Sequence, residues 1–310
     1  MTTINKKPMR SSKIIGIQFS VLSPEEIRNS SVAEITNRDT YINNKPVIGG
    51  LFDPRMGILE PGIICPTDGL TYMQTPGYFG HIELAKPVFY IQYLNTILKI
   101  IRCVCFKCSK LLISKETRKQ CACMKPEERW NYVFKIASKV KRCGEDTEDG
   151  CGCKQPTKIK KEGLATIIAE WDNIEESGSS QSDTKEKLTM RLTPEILLKV
   201  FKRISDEDVD FMGFSSLWSR PDWMICQVLA IPPPAVRPSV KHDAQQRSED
   251  DISHIIVNII KANKTLQEKI EQNANSNIID DWSTVLQYYI ATMVDNKIPG
   301  VASVAQRSGR

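Results

Sequence analysis

Three consecutive prolines, Pro232, Pro233 and Pro234, constrain this chain more than any other residues in it. Each lacks a backbone N–H and holds φ fixed, so none can sit in a helix interior or a central strand. Pro221 and Pro238 stiffen both flanks, an apolar run precedes the triplet and polar residues follow it. Residues 218–240 must therefore be a rigid, extended arm set after an apolar element. Composition alone favours a polyproline II linker or an SH3-type ligand.

A chain of 310 residues can bury a sizeable core, as one large domain or two small ones. Its 41% hydrophobic and 25% charged residues are ordinary for a globular protein. No apolar run approaches the roughly 20 residues that cross a bilayer, so no membrane partner is expected. The basic N-terminus has no apolar core behind it, which argues against a secretory signal. Ten cysteines in that setting point to a reducing compartment and metal ligation rather than a disulfide framework. The net charge of +5 is unevenly spread: residues 99–161 hold seventeen Lys and Arg against seven Asp and Glu. Such an excess suits a surface facing phosphate, although a merely solvated basic face would look the same.

Along the chain, residues 14–19 read as a short strand, and Ser23 caps a brief helix that Pro24 opens. Residues 37–80 are rich in Gly, Pro and Asn and should be loop. Residues 91–101 and 127–142 look helical, and residues 170–187 are the best candidate for a flexible excursion. Thr193-Pro194-Glu195 opens another helix, with Ile196, Leu197, Val200, Phe201 and Ile204 on its buried face. In the last third, Ile252, Ile255, Ile256, Ile259 and Ile260 form one apolar stripe; Trp282, Val285, Leu286, Tyr289, Ile290 and Met293 form another. Each buries one narrow seam, and the polar residues 272–277 between them make an antiparallel helical hairpin the natural arrangement.

Cys105-x2-Cys108, followed by Cys143 and Cys151, offers two thiolates for one side of a tetrahedral zinc and two distant ones to complete it. Little apolar material surrounds them, so a metal would supply folding energy that a core cannot. Cys103, Cys121, Cys123 and Cys153 are spare thiols that compete for ligation.

The wording of several segments goes further than their composition. SRPDWMI from Ser219, then PPPAVRPS from Pro232, resembles the clamp of the largest subunit of eukaryotic-type multisubunit DNA-directed RNA polymerases. SPEEIR from Ser23, GGLFDPRMG from Gly49, PGYFGHIELAKPVF from Pro76 and the terminal QRSGR carry the same resemblance in the same order. It covers nearly all the chain from about Lys13 and thins only over residues 173–190. The resemblance implies an α+β fold: a mainly helical clamp module with long loops, a zinc-bound head and an antiparallel coiled-coil hairpin. It divides the chain into clamp core (1–98), zinc-binding head (99–190), core return and lid (191–249), hairpin (250–295) and rudder (296–310).

The same resemblance implies one structural zinc on Cys105, Cys108, Cys143 and Cys151. A second family site, patterned Cys-x2-Cys-x6-Cys-x2-His, falls on Cys65, Asp68, Thr75 and Tyr78, where one ligand survives; the site is read as lost, with Tyr72, Tyr78 and Phe79 packing the loop instead. Lys241 and Arg247 in the lid, and Lys297, Arg307 and Arg310 in the rudder, are the implied nucleic-acid contacts, and the hairpin tip at Glu271, Gln272 and Asn275 is the implied docking post for initiation and elongation factors. Implied partners are the second-largest subunit, the remainder of the largest subunit, DNA and the RNA–DNA hybrid. Polymerisation in the family uses two Mg²⁺ on an Asn-Ala-Asp-Phe-Asp-Gly-Asp motif that does not occur here, so this chain would belong to a nucleotidyltransferase without catalysing alone. The implied location is intracellular: the nucleus, or host cytoplasm or virion for a viral enzyme. An alternative is a stand-alone zinc-dependent nucleic-acid-binding regulator derived from such a clamp.

Overall fold

Several helices begin where a short polar side chain meets a proline or an acidic residue. The computed structural model describes residues 13–145, 150–172, 187–243 and 247–305. Ser23 caps helix α1 (Pro24–Ser30): its hydroxyl accepts from the Glu26 amide, and the Glu26 carboxylate accepts in return from the Ser23 amide. The reciprocal pair satisfies two donors that lie outside the helix's own ladder. Residues 14–19 are not the strand their pattern predicts; they adopt no regular structure, and Ile14, Ile15, Ile17 and Phe19 are exposed. A strand needs a neighbour to take its backbone bonds, and no described strand pairs with this segment.

Residues 37–80 are mainly loop, interrupted by a small hairpin, β1 (Tyr41–Ile42) and β2 (Lys45–Pro46). Asp53 organises the turn that follows. Its buried carboxylate accepts from the amides of Gly49 and Arg55 and pairs with the Arg55 guanidinium at 2.7 Å. Burial opposes its ionisation, but the Arg55 bond and the two amides outweigh that and hold the carboxyl below its ordinary range.

Two antiparallel strands from distant parts of the chain form the spine. β3 (Gly80–Phe89) and β7 (Ile225–Ile231) pair from Gly80↔Ile231 to Glu83↔Val228, and again from Val88↔Cys226 to Phe89↔Ile225. Between these blocks residues 84–87 face Gln227 alone, a bulge that accommodates Pro87 and its missing N–H. The spine divides the interior, with Phe89 and Ile225 in one core and Ile82, Val88, Leu229 and Ile231 in the other.

The first core gathers α2 (Leu94–Ile101), the later α4 (Pro126–Ala137), the antiparallel sheet of β4 (Lys158–Glu162), β5 (Thr166–Asp172) and β6 (Lys187–Leu192), then α5 (Pro194–Lys202) and α6 (Asp206–Phe211). Between α2 and α4, α3 (Lys115–Cys121) is tied to this core through Arg118, which pairs with Asp208 over the Phe211 ring. The helix read over residues 91–101 is a 3-10 turn, Ile91–Tyr93, running into α2. Helix α4 stops at Ala137 rather than at 142, because Arg142 and Cys143 are recruited elsewhere: Arg142 bridges Lys154, and the Cys143 amide donates to the Cys153 carbonyl at 3.0 Å. The sheet and α3 were not anticipated. β4 is a charged run with only Ile159 buried, and the KETRKQC sequence of α3 has no apolar period to read. Of the excursion expected over residues 170–187, residues 170–172 belong to β5 and Lys187 begins β6; residues 173–186 lie outside the described set.

After β7 the proline arm makes a single 3-10 turn, Pro234–Val236, and passes through a two-residue pairing of β8 (Val240–Lys241) with β9 (Arg247–Ser248). Arg237 at its root is fully buried and donates to the carbonyls of Pro232 and Leu51 and to the Ser253 hydroxyl, over the ring of Phe52. Burial pulls its guanidinium down to about 10, still charged at neutral pH. One cation thus ties the arm, the 49–57 loop and the start of the next helix.

The second core lies between the spine and helices α7 (Asp251–Glu271) and α8 (Ser276–Val294), which pack on each other through a turn at Asn273. Ile256, Ile259, Ile260, Leu266, Leu286 and Ile290 are all buried. Their surface is wider than one seam, because α7 and α8 also close on β3, Leu51, Phe52 and Met56, whereas Ile252 lies near the surface. Two amides fasten the pair to the bulged strand. Asn263 accepts from the Ala85 amide and donates to the Glu83 carbonyl, each at 2.8 Å. Gln287 accepts from the Phe89 amide at 2.7 Å and donates to the Phe89 carbonyl at 3.0 Å. Asn263 satisfies groups at and beside the bulge, and Gln287 satisfies both backbone groups of Phe89 at the strand's end.

Candidate functional site

Cys105 and Cys108 sit on a tight reversal between Val104 and Leu111, which bridge each other. Ser109 turns it with φ of 60°, so that its amide donates to the Cys105 carbonyl while the Cys105 amide donates to the Lys110 carbonyl. Cys143 and Cys151 occupy a second reversal, where the Gly152 amide donates to the Cys143 carbonyl at 2.9 Å. Gly150 is obligatory in it, because a Cβ there would lie 2.1 Å from the Gly144 Cα.

The two reversals bring four sulfurs to within 4.8 Å of one another, the only such group of metal-ligating side chains among the described residues. Sγ of Cys105 lies 3.5 Å from that of Cys151, and Sγ of Cys108 lies 3.6 Å from that of Cys143. A disulfide would need about 2.05 Å. A tetrahedral zinc with bonds of about 2.3 Å spaces its sulfurs about 3.8 Å apart, so the set fits that ion. The cluster can hold a zinc ion.

The electrostatics agree. Burial pushes the Cys143 thiol up to about 12 and raises Cys108 as well. Burial acts in the same direction on Cys151, but the Cys153 amide and the neighbouring thiols overcome it and bring this group to about 7. Four thiolates in so small a space need a cation between them. Gln155, buried and not singled out in the sequence, donates to Cys105 Sγ at 3.3 Å and to the Cys153 carbonyl at 2.9 Å, which orients a ligand from outside the tetrad. The spare thiols stand apart: Cys121 donates to the Thr117 carbonyl, Cys153 points to the Lys154 carbonyl, Cys123 is exposed, and burial pushes Cys103 up to about 12.

The sequence profile of the family described as RNA polymerase Rpb1, domain 1, matches residues 11–310. The chain belongs to the Rpb1 family. One curated relative, the DNA-directed RNA polymerase II subunit RPB1 of Euplotoides octocarinatus, is 38% identical over 317 aligned positions, which cover 99% of this chain. The same alignment covers 64% of that relative, so the chain spans under two thirds of its length. Its place in the family is the N-terminal region of the RNA polymerase largest subunit.

Lys241 and Lys297 are exposed on this Rpb1 region, in β8 and in the loop after α8. Arg247 is engaged with the protein itself, paired with Glu60 and stacked 3.8 Å above the Tyr41 ring. Arg307 and Arg310 lie outside the described residues. Glu271, Gln272 and Asn275 are exposed at the turn between α7 and α8. Their hydrogen bonds are local: Gln267 to Glu271, Lys269 to Gln272, Ser276 to Asn275. No helix among the described residues is long and apolar enough to cross a membrane.

Proposed function

We propose that this chain is the clamp part of a DNA-directed RNA polymerase, working in the nucleus as one portion of a multisubunit nucleotidyltransferase. The observation that carries the reading is the Rpb1 match over residues 11–310, joined to a four-thiol cluster that can hold a zinc. Cys105, Cys108, Cys143 and Cys151 hold one structural zinc, which supplies cross-linking and no chemistry. The head (99–190) carries the basic excess, the arm at residues 239–249 is the lid, the α7–α8 pair is a coiled-coil hairpin that receives factors at its tip, and residues 296–310 are the rudder. The second-largest subunit and the remainder of the largest subunit complete the cleft and supply the Mg²⁺-binding carboxylates.

In this reading Lys241 and Lys297 neutralise phosphates of DNA or of the RNA–DNA hybrid, with Arg247 at the lid root and Arg307 and Arg310 beyond. Such contacts carry affinity without base specificity. The test is the lifetime of stalled elongation complexes assembled with the complete enzyme. Lys241→Ala with Lys297→Ala should shorten it, more at low salt than at high salt, because fewer counterions are released on binding. An unchanged lifetime and an unchanged salt slope would remove both residues from the nucleic-acid face.

A further inference from the structure

The positions of the family's second metal pattern converge in space without being metal ligands. Asp68 stands at the centre. Its carboxylate accepts from the Leu70 amide at 2.9 Å, from the Thr75 hydroxyl at 2.8 Å and from the Tyr78 hydroxyl at 3.0 Å. The Cys65 thiol adds a contact to the same carboxylate and donates to the Pro54 carbonyl at 3.7 Å. The donor set has the wrong polarity for zinc, which collects electron-pair donors such as thiolate and imidazole. Here two hydroxyls and a backbone amide supply protons to one anion. Of the rings expected to pack the loop, Phe79 is half exposed and Tyr72 is 37% exposed, so neither is buried in it.

The loop's far end is where the convergence matters. The Tyr78 amide donates to the Met56 carbonyl at 2.9 Å, and Gly77, at φ of 81°, lies so close to the proline arm that a Cβ would fall 2.8 Å from Pro233 Cβ. Thr75 and Tyr78 flank this contact, so whatever fixes them fixes the seat of the arm. Tyr78 is raised above the ordinary phenol range by its bond to Asp68, as a donor to a carboxylate must be.

We infer that residues 65–78 are a metal-free anchor in which the Asp68 carboxylate takes the place of a zinc ion and seats Gly77 beneath Pro233. An anion gathering donors does the geometrical work of a cation gathering acceptors. The anchor then stays closed where the thiol cluster opens on loss of metal. Nothing in this inference depends on transcription, and its test reads none.

The test uses the full 310-residue chain, zinc analysis and hydrogen exchange. Cys65→Ser should leave zinc content unchanged. Chelation should strip protection from the amides around Cys105 and Cys143 but leave those of residues 65–78 as they were. Asp68→Ala should lose protection across residues 65–78, and added zinc should not restore it. Asp68→Cys, Thr75→Cys and Tyr78→His together rebuild the ligand set and should raise bound zinc from about one equivalent to about two, because the four positions already converge. The inference is overturned if chelation unprotects residues 65–78, if Cys65→Ser lowers the zinc content, or if Asp68→Ala leaves the loop protected. It is equally overturned if the rebuilt variant keeps its first zinc and takes up no second. Should that variant not fold, the Asp68→Ala exchange profile decides alone.

Discussion

The thiol cluster in the head and the root of the α7–α8 pair are both junctions between distant pieces of chain, yet they are held by opposite means. At the cluster, two reversals 35 residues apart, as measured from Cys108 to Cys143, meet through four sulfurs, and burial of Cys108 and Cys143 disfavours the charges a metal needs. At the root, buried Ile256, Ile259, Leu286 and Ile290 supply apolar surface, Asn263 mends the strand bulge and Gln287 holds the strand's end at Phe89. The difference teaches where each junction's stability resides. With an ion in the cluster, the first would be borrowed from that ion and lost all at once. The second is spread over many contacts and declines by increments.

Metal removal should give the largest effect. Structural zinc sites in small modules are worth about 10–16 kcal/mol of binding free energy. Chelation, or Cys108→Ser, should therefore release the ion and abolish amide protection over the two reversals while the α7–α8 root stays protected. Simultaneous loss in both regions would show a single cooperative unit and break the comparison.

Truncation at the root comes next. Ile259→Ala or Leu286→Ala, both at fully buried positions, should each cost about 2–5 kcal/mol in urea unfolding with zinc still bound. Loss of zinc at the same denaturant concentration as loss of helix would merge the two junctions. A smaller cost is expected for Asn263→Ala, which leaves the Ala85 amide and the Glu83 carbonyl without their side-chain partner: about 1–3 kcal/mol. A neutral result would mean that water mends the bulge equally well.

The smallest stability effect belongs to the tip. Gln272→Ala with Asn275→Ala touches only exposed, local bonds and should change stability by no more than about 0.5 kcal/mol. In the assembled enzyme the same pair should weaken factor-dependent transcription and spare factor-independent extension. Equal loss of both activities would make the hairpin a structural element rather than a docking post.

Much of this architecture was readable from local pattern. Ser23 and Thr193 before prolines announced their helices, the Cys105-x2-Cys108 spacing announced a metal corner, and two apolar stripes announced α7 and α8. These are short-range signals: capping, ligand bite and helical period are set within a turn or two of chain, so adjacent residues suffice to state them. Other features had no such signal. Asn263 and Gln287 reach backbone partners 178 and 198 residues away, and their amides look like any polar residue on a helix. β4 hides in a run of lysines because only Ile159 turns inward. Residues 14–19 have a strand's alternation but lack a partner strand among the described residues. Asp68 reads as a substituted ligand until Thr75 and Tyr78 are seen to close on it. A polar side chain takes its role from whichever distant backbone group or hydroxyl the fold leaves unsatisfied beside it, and only the tertiary structure decides which group that is.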